Sequence, residues 1–143
     1  MAGRQTLGIV KPDAVQKGNI GNIVAHLERD GFVVRAGRLA RLSKAEAEAF
    51  YEVHRGRPFY AELVEFMTSG PCFPMALERD DAVKAFRTAI GATDPAEAAP
   101  GTIRQLFAES KGRNAVHGSD SDENAAREIA FFFTEAERAR LWG

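Results

Sequence analysis

This sequence predicts an α+β fold: one four-stranded, largely antiparallel sheet covered by helices, in a single domain spanning residues 1–143. Three observations carry that expectation. Short apolar runs of strand length alternate with segments whose apolar residues recur at helical spacing. No repeat, linker or low-complexity tract interrupts the chain. The composition, 45% hydrophobic and 27% charged, is that of a chain able to bury a core rather than remain disordered.

The elements follow in order. Residues 6–10, TLGIV, form an apolar run that Lys11-Pro12-Asp13 halts, which predicts a strand and then a turn. Ile20, Ile23, Val24 and Leu27 fall at i, i+3, i+4 and i+7 on one helical face, and Gly31 supplies the stop. Residues 32–42 predict a second strand, interrupted by Gly37. Ser43 followed by Glu46 is a capping box, opening a helix from Lys44 to about Val53. Residues 60–67 predict a short helix closed by Gly70-Pro71. Residues 72–78 predict the third strand, where Pro74 cannot donate a ladder bond and is expected to disturb the sheet.

Val83, Ala85, Phe86 and Ile90 then line a helix over residues 80–91 that ends at Gly91. From Ala92 to Arg113 the periodicity weakens, with one helical piece at 103–107; a long irregular stretch in a compact domain is more often functional than idle. Residues 114–118, NAVHG, predict a brief strand. Ala126, Ile129, Ala130 and Phe133 repeat the helical signature, and Thr134 to Glu137 caps one last small turn.

Composition also excludes function classes. Lys+Arg 19 against Asp+Glu 20 leaves a net charge of −1, which disfavours a nucleic-acid partner. The single cysteine, Cys72, forms no intrachain disulfide and is expected to be a buried, inert thiol; no Cys/His set has zinc spacing. No run is apolar enough for a signal peptide or a membrane span, so the expected compartment is the cytoplasm. The phosphate loop GxxxxGK[ST] is absent, as is GxGxxG after a strand.

Phosphate-seeking side chains nevertheless gather in and near the irregular stretch: Arg87, Thr93, Arg104, and Arg113-Asn114 leading into HGSDS. His117 suits nucleophilic attack on a phosphoryl group if one ring nitrogen is free and the other is held. Glu128, eleven residues on, lies beside the expected apolar stripe and is a candidate holder, with Ser119 a candidate partner for that carboxylate. Spacing alone leaves open the plainer reading, a satisfied core histidine and a surface glutamate. His26 reads as structural, His54 as a helix-end group, Lys11 as surface ammonium or ligand contact, and Tyr51 and Phe59 as possible core.

The stretches KPDAV (11–15), RPFY (57–60), SGP (69–71), GATDPAEAAPGTIR (91–104) and GRNAVHGSDS (112–121) closely resemble nucleoside diphosphate kinases, in order from about Thr6 to Phe133. The resemblance implies a ferredoxin-like sandwich and a ping-pong transfer of a γ-phosphoryl group, mainly from ATP, to a nucleoside diphosphate through a phosphohistidine on His117. It implies that Glu128 orients His117, with Ser119 supporting Glu128. Lys11 and Tyr51 would reach the reacting phosphate, Lys11 also touching the ribose. His54, Arg87, Thr93 and Arg104 would hold phosphates, Asn114 the sugar 3′-hydroxyl, and Phe59 would stack on the base.

Mg²⁺ is the implied cofactor, bridged by nucleotide phosphates with little or no protein ligation, and the implied assembly is a homo-oligomer, tetramer or hexamer. Lys111 departs from the resemblance, standing where many relatives place an apolar residue against the base. The tail after Phe133 is short, and Pro100 lies in a loop that in relatives packs on a neighbouring subunit. A catalytically inactive nucleotide-binding scaffold of the same fold is the alternative; a nucleic-acid-binding protein is disfavoured by charge.

Overall fold

The computed structural model describes residues 3–142. Its strands β1 (Gln5–Val10), β2 (Val33–Gly37), β3 (Phe73–Glu78) and β4 (Val116–Gly118) form one sheet in the order β2-β3-β1-β4. All three pairings are antiparallel. The helices are α1 (Pro12–Gln16), α2 (Ile20–Arg29), α3 (Lys44–Phe50), α4 (Tyr60–Met67), α5 (Ala82–Ile90), α6 (Ile103–Phe107), α7 (Asp122–Phe132) and α8 (Glu135–Trp142), with a 3-10 turn at Glu52–His54.

Central strand β1 is buried from Thr6 to Val10, so its side chains need cover on both faces. On one face Leu7, Ile9 and Ala76 pack with Phe50 from α3, Met67 from α4, and Ile129 and Phe132 from α7. On the other, Val10, Met75 and Leu77 pack with Ile23 and Leu27 from α2, Phe86 from α5 and Ile103 from α6. Helices therefore cover both faces of the sheet. Among the described residues no helix is long and apolar enough to cross a membrane.

Local chemistry explains most boundaries. Ser43 Oγ accepts from Glu46 N–H at 3.1 Å while Glu46 Oε1 accepts from Ser43 N–H at 2.9 Å, the reciprocal bonds of the expected capping box. Lys11-Pro12-Asp13 opens α1 rather than a plain turn, because proline at the first helical position loses no intrahelical bond. The second strand is shorter than expected: an irregularity between Val34 and Ala36 precedes its end at Gly37, beyond which an isolated bridge pairs Ala40 with Cys72.

Pro74 does not break the sheet. It pairs opposite Ile9, its carbonyl accepts from Arg38 N–H at 3.3 Å, and Met75 after it is the first β3 residue with a β2 partner. Cys72 is fully buried, and that burial pushes its thiol up to about 11, as expected of an inert cysteine.

Two corrections concern the C-terminal part. The buried face of α7 is Ala125, Glu128, Ile129 and Phe132, while Ala126 and Ala130 face outward. Glu128 thus lies within the buried stripe, not beside it. The last small turn is an eight-residue helix, α8, tied to the sheet region by Arg38, which sits over the Phe133 ring and donates to Glu137 at 3.4 Å.

Helix α5 sits unusually close to the sheet. Gly8 and Gly118 are direct cross-strand partners, and a Cβ on either would come within 2.7 Å or 2.8 Å of the Phe86 ring. Phe86 is fully buried. Gly8→Ala should therefore destabilise the fold by about 1–3 kcal/mol through overpacking. A denaturation midpoint unchanged from that of the parent chain would contradict this packing.

Candidate functional site

Where β1 ends and β4 begins, the sheet opens into a cleft of about 780 Å³. His117 stands on β4 opposite Ile9. Its Nε2 lies 2.8 Å from Glu128 Oε1, and the Ser119 hydroxyl donates to the same oxygen at 2.8 Å. Ser119 Oγ in turn accepts from Leu7 N–H at 3.3 Å. The carboxylate can only accept, so Nε2 carries the ring proton and Nδ1 presents a lone pair. Among the described residues nothing hydrogen-bonds to Nδ1. The rings of Phe50 and Tyr51 meet the imidazole edge-on at 5.4 Å and 6.2 Å and limit its tilt.

A second group converges from the end of β1. Lys11, only 9% exposed, donates from Nζ to Asn114 Oδ1 at 2.9 Å, and Asn114 Nδ2 donates to Thr93 O at 3.4 Å. Between Asn114 and β4 the chain passes through Ala115 at φ 71°, a left-handed conformation that costs a non-glycine residue about 1–2 kcal/mol. Asp13 Oδ2 accepts from Ala115 N–H at 3.1 Å.

Arg104, near the start of α6, spends its guanidinium on three carbonyls: Val116 at 2.9 Å, Gly91 at 3.0 Å and Asn114 at 3.4 Å. Gly91 at φ 87° and ψ −177° closes α5 in a conformation open essentially to glycine alone, and a Cβ there would lie 2.6 Å from Thr102 Oγ1. Arg87 approaches Gly118 O at 3.5 Å.

These cations strain one another. Burial, then the Arg104 charge, lowers Lys11 to about 8, with Asp13 opposing. Burial, then the Arg87 charge, lowers Arg104 to about 10. Tyr51 is pushed far up by burial and stays neutral, and among the described residues its buried hydroxyl has no partner. Its ring stacks on His54 at 6.3 Å, and His54 meets half-exposed Phe59 at 5.2 Å near the cleft mouth. Crowded cations, an orphaned hydroxyl and a free imidazole nitrogen suit an anion with several acceptor oxygens.

Ten of the eleven expected site residues line this one cleft: Lys11, Tyr51, His54, Phe59, Arg87, Thr93, Arg104, Asn114, His117 and Glu128. Ser119 lies behind Glu128, fully buried. Arg113 does not join them; its guanidinium sits 5.7 Å from the Phe66 ring centroid and it lines a neighbouring groove with Arg41. His26 is structural, bonding Gly101 O at 2.7 Å. Lys111 and Gly112 line the cleft beside Leu63 and Phe66.

Sequence reasoning missed Phe50, which shelves His117, and Asp13, which holds Ala115. It also missed Arg127, 3.6 Å from Glu128 Oε2, and Asp120, whose carboxyl is held low first by an Asn124 hydrogen bond. An acid directly after a helix-opening proline was the available signal for Asp13.

The Lys11 environment sets a pH dependence. Its ammonium is charged below about pH 8 and neutral above it, so affinity for a polyphosphate should fall as pH rises through that value. Titration calorimetry with inorganic tripolyphosphate should show this fall, and Lys11→Arg, which keeps its charge, should reduce it. The same fall in both proteins would remove Lys11 as its source.

Comparison with known proteins agrees with this geometry. The family model for nucleoside diphosphate kinase matches residues 4–138. The nucleoside diphosphate kinase of Chlorobaculum parvum is 61% identical over 137 residues, covering 96% of this chain and 98% of its own. That of Sorangium cellulosum is 57% identical over 139 residues, covering 97% and 96%. Among solved structures, the Aquifex aeolicus enzyme superposes with a TM-score of 0.92 at 48% identity, covering 94% of this chain and 97% of that one. The Halobacterium salinarum enzyme, solved in complex with CDP, gives 0.88 at 44% identity, covering 93% and 89%. The chain belongs to the nucleoside diphosphate kinase family and is, with it, a nucleotide-binding phosphotransferase.

Proposed function

We propose that phosphoryl transfer runs in two half-reactions through His117, with ATP the main donor. The single observation that carries this reading is the 2.8 Å bond from Nε2 to Glu128, which leaves the Nδ1 lone pair to the cleft. In the first half-reaction Nδ1 attacks the γ-phosphorus in line. The bond from that phosphorus to the β,γ-bridging oxygen breaks, and the nucleoside diphosphate leaves with the electron pair. A second nucleoside diphosphate then takes the phosphoryl group on its terminal oxygen, and the N–P electrons return to Nδ1.

Such a transfer asks the protein mainly for positioning and charge stabilisation. Lys11 and the orphaned Tyr51 hydroxyl reach the moving phosphate, and Lys11 also touches the ribose. Arg87, Arg104, Thr93 and His54 hold the other phosphate oxygens. Asn114 takes the 3′-hydroxyl, and Phe59 offers its face to the base, a contact that every base can make. The CDP held by the Halobacterium salinarum enzyme supports a nucleoside diphosphate in this cleft. As Nδ1 gains phosphorus, positive charge on the ring is balanced by Glu128, with Ser119 keeping that carboxylate in place.

The groups lining the cleft suit a metal that arrives on its substrate. Glu128 is taken by His117 and Ser119, Asp120 by Asn124, and among the described residues no group of three or more His, Cys, Asp or Glu converges to hold an ion. Mg²⁺, the expected cofactor, would thus be held by nucleotide phosphate oxygens and would offset their charge. A homo-oligomer, tetramer or hexamer, in the cytoplasm is the expected setting; exposed Val33 on the outer strand β2 and exposed Leu39 just past its end support assembly.

Incubation with γ-labelled ATP and no acceptor should leave acid-labile, alkali-stable label that a nucleoside diphosphate chases off and that His117→Ala lacks. Absence of label on folded protein would sink this route. Glu128→Gln should slow transfer about tenfold to a hundredfold while nucleotide affinity changes little. A large loss of affinity instead would show that Glu128 had been given the wrong role.

A further inference from the structure

Ala115 is held from both sides by the junction of β1 and α1. Its N–H donates to Asp13 Oδ2 at 3.1 Å, and its carbonyl accepts from Lys11 N–H at 2.8 Å. Alanine does not choose φ 71° unaided, so this turn needs a clamp. Its conformation matters for the cleft, because Asn114 immediately before it meets Lys11 Nζ, and β4 with His117 begins immediately after it.

Asp13 is costly for so small a task. It is 3% exposed, and among the described residues its Oδ1 has no hydrogen-bond partner. A half-satisfied buried carboxylate is unfavourable unless its charge is itself useful. The charged groups acting on Lys11 are Asp13 from α1 and Arg104 from α6, one favouring the ammonium and the other opposing it. Asp13 thus supplies both a hydrogen-bond acceptor for the turn and a negative charge for the lysine.

We propose that Asp13 is a positioning residue of the phosphoryl-transfer site: it clamps Ala115 in the left-handed turn that sets Asn114 against Lys11, and it carries a negative charge two residues along the chain from that lysine. This rests on the reading of Lys11 and Asn114 as nucleotide-binding groups. The two contributions separate chemically. Geometry can be restored by a residue that adopts the turn freely, whereas the charge cannot.

The test measures nucleoside diphosphate exchange across pH for Asp13→Ala, Asp13→Asn, Ala115→Gly and the double variant Asp13→Ala/Ala115→Gly, with thermal melts to confirm folding. Asp13→Ala should lower kcat/KM about tenfold to a hundredfold below the alkaline limb. The double variant, compared with Ala115→Gly alone, should recover most of that loss. Asp13→Asn keeps an acceptor for the Ala115 amide, so it should retain more activity than Asp13→Ala at neutral pH.

In Asp13→Asn and in the double variant alike, the alkaline limb set by Lys11 should move below about 8. Glycine at 115 should not restore it. Folded variants with wild-type kcat/KM and an unmoved limb would overturn the proposal, as would a double variant no better than Asp13→Ala. If Asp13→Ala does not fold, an unmoved limb in Asp13→Asn overturns it alone. Lys11→Ala separates this proposal from the reading beneath it: unaltered exchange kinetics there would sink the role of Lys11 whatever Asp13 does.

Discussion

Glu128 puts a carboxylate into the apolar face of α7, with 5% of its surface exposed and Ile129 and Phe132 on the same face. A buried charge left without partners would cost several kcal/mol. Here the Ser119 hydroxyl and His117 Nε2 both meet one oxygen, and Arg127 approaches the other. His117 and Ser119 come from β4 and the turn after it, while Ser119 is itself anchored to the backbone of β1 through Leu7. Satisfying this one carboxylate therefore docks α7 on the sheet, assigns the ring proton of His117 and turns Nδ1 to the cleft.

The opposite wall carries a complementary cost. Lys11 and Arg104 are buried cations that repel, and both are lowered by burial first and a neighbouring charge second. They are tolerated because Arg104 is spread over three carbonyls and Lys11 has Asn114 and Asp13 nearby. A polyphosphate entering this cleft relieves that repulsion, so its electrostatics favour the bound state before any contact is optimised. The close seat of Phe86 on Gly8 and Gly118 brings α5, and with it Arg87, to the same wall.

Much of this was legible locally. The Ser43–Glu46 capping box, the helix stops at Gly31 and Gly91, and the burial of Cys72 each follow from a few adjacent residues, and each is found. The misread elements have a common cause. In the α7 stripe of Ala126, Ile129, Ala130 and Phe133, the two alanines are too small to say which side is buried; Phe132, packed with Ile129 in the core, moves the face to Ala125 and Glu128. Whether Pro74 disturbs the sheet depends on the span of the neighbouring strand, and β2 ends before its missing N–H matters. Arg113 has the same local chemistry as Arg87, yet packs on Phe66.

By itself the sequence determined most element types, though not helices α1 and α8, the α+β class and, through the ordered motifs from KPDAV to HGSDS, a resemblance that put His117 at the centre of the site. Propensity, capping and motif spacing are short-range properties, readable one window at a time. Only the tertiary structure decided which ring nitrogen is held, that Glu128 lies inside the α7 face, and that Asp13 grips Ala115 from 102 residues away along the chain. Those facts depend on hydrogen bonds whose partners meet only after the sheet has paired. A buried polar group must find its partner wherever the fold brings one.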